Sequence, residues 1–275
     1  MTLILKVLKW FALSLALIIA GYNLRGFLTL GTIELASPAQ LEPDANRTVM
    51  VFGASGSVGD GMLKAAIEDP DVEKIYVVTR RTTPRVEAGL ASGKVVLRMH
   101  QDYTDYNSLS EELKEVNTVL WGLGASSIGM DDEMYTWIHV DFPVAFIKAW
   151  LASRTEAPMS FHSVTGKGTD PNGSAHWARE KGRAELEVAD LAQGSGLRTY
   201  AYRSALVRPT SEQSNIGYGI AEALLRPGSL VITARNLGAA MLEISARTKE
   251  LPNGTLIDAA DSIAYARAYR NRLEP

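Results

Sequence analysis

The sequence contains no cysteine. That excludes disulfides, thiolate zinc sites and a cysteine nucleophile, and it leaves the compartment open. Histidine is scarce. His100, His139, His162 and His176 lie far apart, with no His-x-x-x-His spacing, which argues against a metal site. Neither charge is in excess: 28 Lys and Arg stand against 31 Asp and Glu, a net −3. No basic stripe therefore supports nucleic-acid binding. Internal repeats and low-complexity tracts are also lacking. Apolar residues, in contrast, make up 46% of the 275 positions, enough for one large domain or two small ones.

The first 33 residues carry Lys6, Lys9 and Arg25 but no acid, Glu34 being the first. Trp10 to Ala20 is an apolar run broken only by Ser14. As a helix that run covers about 16 Å of a hydrocarbon core of about 30 Å. A helix from Leu3 to about Leu24 crosses it, with the two lysines snorkelling to the headgroups. Residues 1–33 thus read as a membrane anchor or a targeting segment. A signal peptide and an organelle-targeting segment fit the same pattern, and so does a helix packed on the protein's own surface. No A-x-A-like cleavage site follows the run, which favours a retained anchor. Lys6 and Lys9 favour a cytosolic N-terminus, which would put the following domain on the far side if the helix spans. The expected location is a membrane of the mitochondrion or the endoplasmic reticulum. Residues 34–47, with Pro38 and Pro43, lack periodicity and read as a linker.

From residue 48 onward short apolar runs alternate with helical patterns. Thr48–Phe52, Lys74–Val78, Val95–Met99, Thr118–Leu123, Met159–Val164 and Thr199–Val207 read as strands. Ser57 to Ile67, Asn107–Glu115, Asp132 to Leu151 (with a break near Pro143) and Ser174–Ala192 read as helices. This alternation predicts a doubly wound α/β fold, a parallel sheet covered on both faces. Beyond Pro209, Ile216–Leu225, Arg235–Ser245 and Asp261–Arg270 look helical and Val231–Thr233 strand-like. From about residue 210 the chain is read as a small substrate-side lobe of the domain 48–275.

Gly53-x-x-Gly56-x-x-Gly59 follows the first strand and enters a helix. The first glycine suits a tight turn, the second a close approach to pyrophosphate, and the third close packing of helix on strand. The helix N-terminus adds free N–H donors, including those of Ser57 and Val58, and Ser55 and Ser57 can add hydroxyls. An NAD site usually places Asp or Glu about 20 residues further on, for the ribose 2′-hydroxyl. Here Val78-Thr79-Arg80-Arg81 stands there instead. Two guanidiniums suit a 2′-phosphate, so NADP(H) is the expected cofactor, a solvated basic turn being the other reading. Asp102, after the third strand, can contact the adenine amino group or cap the next turn. Gly122 and Gly124 let the backbone pass close to a cofactor, or form an ordinary turn.

In order, GASGSVG, VVTRR, VLWGLGAS, SFHSVTGKG, HWAREKGRAELE and LVRPT cover residues 48–210. This set resembles the short-chain dehydrogenase/reductase superfamily, and within it the atypical NAD(P)-binding branch of Tat-interacting-protein-like proteins and their fungal mitochondrial relatives. The resemblance implies a Rossmann-like fold. It implies that Ser163 matches the serine that hydrogen-bonds a substrate carbonyl, with Thr165 close enough to replace it. It implies that Lys181 matches the lysine of the Tyr-x-x-x-Lys motif, which binds the nicotinamide ribose. The backbone after Val207 would line the nicotinamide pocket.

One departure stands out. Four residues before Lys181 is Trp177, not tyrosine. An indole N–H only donates and cannot act as an acid–base group near neutral pH. His162, Asp141, Tyr200 and Tyr202 are the candidate substitutes, and His176 points about 100° away from the tyrosine's position. Two functions remain. One is a membrane-associated NADP(H)-dependent oxidoreductase or isomerase acting on a small apolar substrate. The other is a non-catalytic NADPH-binding regulatory or scaffold protein.

Overall fold

A computed structural model describes residues 2–273. Met1 and the pair Glu274–Pro275, at the outer ends of the first and last segments bounded above, lie outside the described residues. Helix α1 (Thr2–Thr29) precedes the folded body. The body then runs β1 (Thr48–Phe52), α2 (Ser57–Glu68), β2 (Lys74–Thr79), α3 (Pro84–Ala91), β3 (Val95–Met99), α4 (Ser110–Glu115) and β4 (Thr118–Trp121). It continues through α5 (Asp132–Thr136), α6 (Phe142–Ser153), β5 (Met159–Val164), α7 (His176–Leu191), β6 (Leu197–Arg203) and β7 (Leu206–Arg208). The last elements are α8 (Ile216–Leu225), β8 (Val231–Thr233), α9 (Ala234–Ala246), β9 (Thr255–Asp258) and α10 (Ala259–Leu273).

Seven strands form one sheet in the order β3-β2-β1-β4-β5-β6-β9. Every pairing in it is parallel. Strand order reverses between β1 and β4, which opens a crevice at their carboxyl ends. Each face of the sheet is covered. Val49, Val51, Ile75, Val77 and Leu120 point into a core shared with α2, α9 and α10. Met50, Phe52, Val78, Val119 and Phe161 point into the other, shared with α4, α6 and α7. Burial on both faces is why β1 reads as a continuous apolar run. The fold is thus the doubly wound α/β architecture that the alternation implies.

The C-terminal third divides in two. β7 pairs only with β8 among the described residues, in a separate two-stranded sheet that holds α8 outside the body. The single strand expected over Thr199–Val207 is therefore two, broken at Ser204–Ala205. Beyond β8 the chain returns to the body. Eleven residues of α9 are buried, including Ala234 and Ala246 at its ends, and β9 extends the main sheet beside β6. Residues 30–47 have no helix or strand, yet they are strapped down. Gly31 N donates to Asp258 (2.9 Å), Ile33 N to Asp261 (3.0 Å), and Glu42 N to Ala246 O (2.7 Å).

Candidate functional site

The glycine turn is built by contact. Gly53 has φ +73°, and a Cβ there would lie 2.4 Å from Gly122 O. A Cβ on Gly59 would lie 2.1 Å from Gly53 O, and one on Gly122 3.0 Å from the Gly59 Cα. Only glycines let β1, the start of α2 and the end of β4 approach so closely. Gly56 caps α2 without a side chain, so the first N–H groups of that helix are left for a ligand. Gly56, Ser57 and Val58 line a crevice of about 270 Å³ that runs past Gly122 and Gly124 to His139 and Lys181. Ser55 lies in the turn itself. The strand-to-helix turn and the Lys181 helix therefore share one space. It has a bare glycine cradle at one end and a cation at the other, which fits a dinucleotide.

Lys181, on α7, Ser163, at the end of β5, and His139 also line an adjoining narrow cleft. Burial pulls the Lys181 ammonium below its usual range, and Glu185 one turn on partly restores it. Glu185 accepts from Thr165 Oγ1 (2.6 Å) and from Arg203 Nε (3.0 Å). Thr165's hydroxyl is thus committed, and Ser163 is the hydroxyl left to face the cleft. Trp177 turns elsewhere: its ring edge lies 3.2 Å from where a Gly168 Cβ would be, packed on the loop after β5.

The expected tyrosine substitutes are not brought to this cleft. On β5 successive side chains alternate faces, and His162 points away from Ser163 towards α9. It is fully buried, with Nδ1 2.8 Å from Tyr202 Oη and Nε2 2.8 Å from Ser245 Oγ. Tyr200 and Tyr202 are buried in the same core. Asp141 and His176 line a separate surface cavity of about 720 Å³.

The histidine that does reach the cleft is His139. It sits in a π-helical turn, Trp137–Asp141, between α5 and α6. Phe142 N donates to Trp137 O, five residues back. Pro143 explains the widening: it has no N–H, and its ring collides with the carbonyl of His139 in a regular α-helix. The expected break near Pro143 is this turn. Nε2 of His139 lies 3.0 Å from Ala125 O and 3.3 Å from Ala125 N. Whichever tautomer holds, Nε2 is tied to that backbone and Nδ1 is the nitrogen left over. Burial, and then the charge of Lys181, pull the ring's pKa down to about 4.

At the other end, Arg80 and Arg81 are exposed just past β2 and make no side-chain hydrogen bond or ion pair among the described residues. Asp60, buried in α2, is paired with Arg85 (2.7 and 3.1 Å) and accepts from Thr210 (2.7 Å). It is no free carboxylate for a ribose. Asp102 is exposed and uses Oδ1 on its own turn, accepting from Thr104 N (2.9 Å) and Thr104 Oγ1 (2.6 Å). Among the described residues no cluster of His, Asp and Glu could hold a metal ion.

No known family's sequence pattern matches the chain. It is 28% identical over 149 residues to the mitochondrial protein FMP52 of Candida glabrata, covering 54% of this chain and 59% of that protein. It is 24% identical over 143 residues to the leucinostatins biosynthesis cluster protein T of Purpureocillium lilacinum, covering 52% of this chain and 51% of that protein. The chain thus spans about half the length of the curated relatives it matches. Among solved structures it is similar to a short-chain dehydrogenase/reductase family oxidoreductase from Burkholderia thailandensis (TM-score 0.58, 14% identity, 83% of this chain and 98% of that one). It is similar also to the NADP complex of RhlG from Pseudomonas aeruginosa (0.59, 14%, 81% and 99%). A UDP-glucuronic acid 4-epimerase from Bacillus cereus has the same layout (0.58, 11%, 77% and 76%). The chain therefore has the fold of these short-chain dehydrogenase/reductase oxidoreductases and NAD-dependent epimerases, and it is distantly similar to a fungal mitochondrial protein.

Proposed function

We propose that the chain binds NADP(H) and acts as an oxidoreductase or isomerase on a small apolar substrate, held at a membrane by α1. The observation that carries this reading is the crevice that joins the glycine turn to His139 and Lys181, with Ser163 in the cleft that adjoins it. A nicotinamide dinucleotide, when bound, supplies the hydride for such chemistry. The solved neighbours include an NADP complex and several NAD complexes, which supports a cofactor of this class. Arg80 and Arg81, with no carboxylate beside them, favour the 2′-phosphate.

The chain's own groups take separate parts. The N–H groups at the start of α2 hold the pyrophosphate. Asp102 keeps one carboxylate oxygen free for the adenine side. The Lys181 ammonium orients the ribose hydroxyls. Ser163 donates to the substrate oxygen, and His139 Nδ1 exchanges the proton that a tyrosine would otherwise carry. A helix long and apolar enough to cross a membrane, together with the mitochondrial relative, supports a mitochondrial membrane over the endoplasmic reticulum.

Fluorescence titration with NADPH and NADH, followed by NADPH oxidation across a panel of apolar aldehydes and ketones, tests the proposal. Tight NADPH binding with turnover is expected, and absence of binding overturns it. The packing of Trp177 on Gly168 favours one second reading, a non-catalytic NADPH-binding regulator. Binding without turnover in the wild type, and activity only in Trp177→Tyr, selects that reading.

A further inference from the structure

Helix α8 has a composition that water does not explain. Ile216–Leu225 contains one charged residue, Glu222, and that residue is paired with Arg208. None of its ten residues is buried. Ile216, Ile220 and Leu224 follow one another at four-residue spacing, 83%, 58% and 45% exposed. They form one apolar stripe along the helix.

What adjoins that stripe is α1. Asn23 Nδ2 donates to Leu224 O (2.8 Å), and Gly228 N donates to Asn23 Oδ1 (2.7 Å). The backbones nearly touch there, since a Cβ on Gly26 would lie 2.2 Å from Gly228 O. The end of α8 is thus fastened to α1 at Asn23–Gly26, while the apolar side chains of α1 stay exposed from Ile4 to Leu28.

The length of α1 sets the depth of that junction. The apolar helix Ile4–Thr29 has 26 residues, or about 39 Å, of which about 20 residues cross the hydrocarbon. The junction then falls at the headgroup level, where interfacial helices embed. Exposed Arg25 and Arg226 flank it and suit anionic headgroups.

We propose that α8 is a second membrane contact: an interfacial helix that lays Ile216, Ile220 and Leu224 into a phospholipid bilayer beside α1. This rests on the reading of α1 as a membrane helix and adds to it that the lobe β7-α8-β8 is pressed against the lipid surface.

The absence of native cysteine makes the test clean. Full-length Phe11→Cys, Ile220→Cys and Ile128→Cys each carry one thiol for an environment-sensitive dye. All three positions are exposed, Ile128 at 92%, so folding is spared. The proteins are reconstituted in vesicles of phosphatidylcholine with a minor share of phosphatidylserine. The expected result is a blue shift of emission at positions 11 and 220, with quenching by a lipid-borne nitroxide, and neither at 128. A shift at 11 without one at 220 overturns the inference and leaves the membrane reading of α1 standing. No shift at 11 overturns that reading, and this inference with it. A shift at all three shows unspecific adsorption and also overturns the inference.

Discussion

Replacing His139 with glutamine separates proton transfer from cofactor binding. The ring is held near pKa 4 by burial and by Lys181, against about 6.5 for a free histidine, a difference of about 3 kcal/mol against the charged form. At pH 7 the imidazolium is then about one ring in a thousand. If His139 gives the proton during reduction, kcat/KM rises about tenfold for each pH unit between 7 and 5 and levels near 4, because that parameter reports the free enzyme. Oxidation uses the neutral ring as base and stays flat above about pH 5. Glutamine keeps a polar contact with the Ala125 backbone but carries no titrating proton. His139→Gln should lower turnover by about 10²–10⁴, abolish the acid limb, and leave the dissociation constant for NADPH unchanged. Turnover and NADPH titration at matched pH measure both. Proton NMR of the ring checks the premise without any substrate. A His139 resonance titrating near its ordinary value, or a glutamine variant that keeps both rate and limb, refutes the reasoning.

Other perturbations follow from the same geometry. Gly59→Ala places a methyl 2.1 Å from Gly53 O, where ordinary contact begins near about 3.3 Å. Helix α2 must retreat by about 1 Å, so melting should show a loss of about 1–3 kcal/mol, and titration should show clearly weaker NADPH binding. Arg80→Glu should weaken NADPH more than about tenfold, the loss of one charge-assisted contact, and spare NADH; equal affinities in titration count against the 2′-phosphate assignment. His162, fully buried, has its pKa pulled down to about 3 by desolvation. Between pH 6.5 and 3 the unfolded chain holds a proton there that the folded chain does not, so stability falls as the pH is lowered through that window, by about 5 kcal/mol in full. His162→Gln should flatten the dependence of melting temperature on pH, and an unchanged slope would place the acid sensitivity elsewhere.

The legible part of the fold was the part in which local pattern and tertiary context agree. Val49 and Val51 face one core and Met50 and Phe52 the other, so β1 is apolar at every step. Gly53, Gly56 and Gly59 are spaced by the turn they make. Other elements carried weaker signals. Helix α3 is capped by Thr83, which accepts from Val86 N, with Pro84 in its first turn; the cap is a sequence signal, but eight residues with only Val86 and Gly89 buried carry no clear apolar period. β9 is only Thr255–Asp258 with a half-exposed Leu256, too short to alternate visibly. Residues 234–246 look like an ordinary helix, and nothing local says that α9 is buried against α2 and α10.

The proposed catalytic half was harder to read for a physical reason. A Tyr-x-x-x-Lys pattern can be read because both residues sit on one face of one helix. His139 and Lys181 are 42 positions apart and belong to different helices. They meet because a proline widens the preceding turn and because Gly124 leaves room, its missing Cβ lying 2.9 Å from the His139 ring. Four histidines scattered along a sequence gave no reason to prefer one. His162 lies one residue before Ser163, and strand alternation sends it to the opposite core. Adjacency in sequence to Ser163 therefore does not bring a ring to the cleft. On the proposed mechanism, a donor supplied by the bulged turn needs no tyrosine on α7, and position 177 is left to pack on the Gly168 loop. The substitution at Trp177 and the π-helical turn at His139 are then two sides of one arrangement. A double replacement, Trp177→Tyr with His139→Gln, should restore part of the turnover that His139→Gln removes; turnover no higher than that of His139→Gln alone counts against this pairing of the two positions.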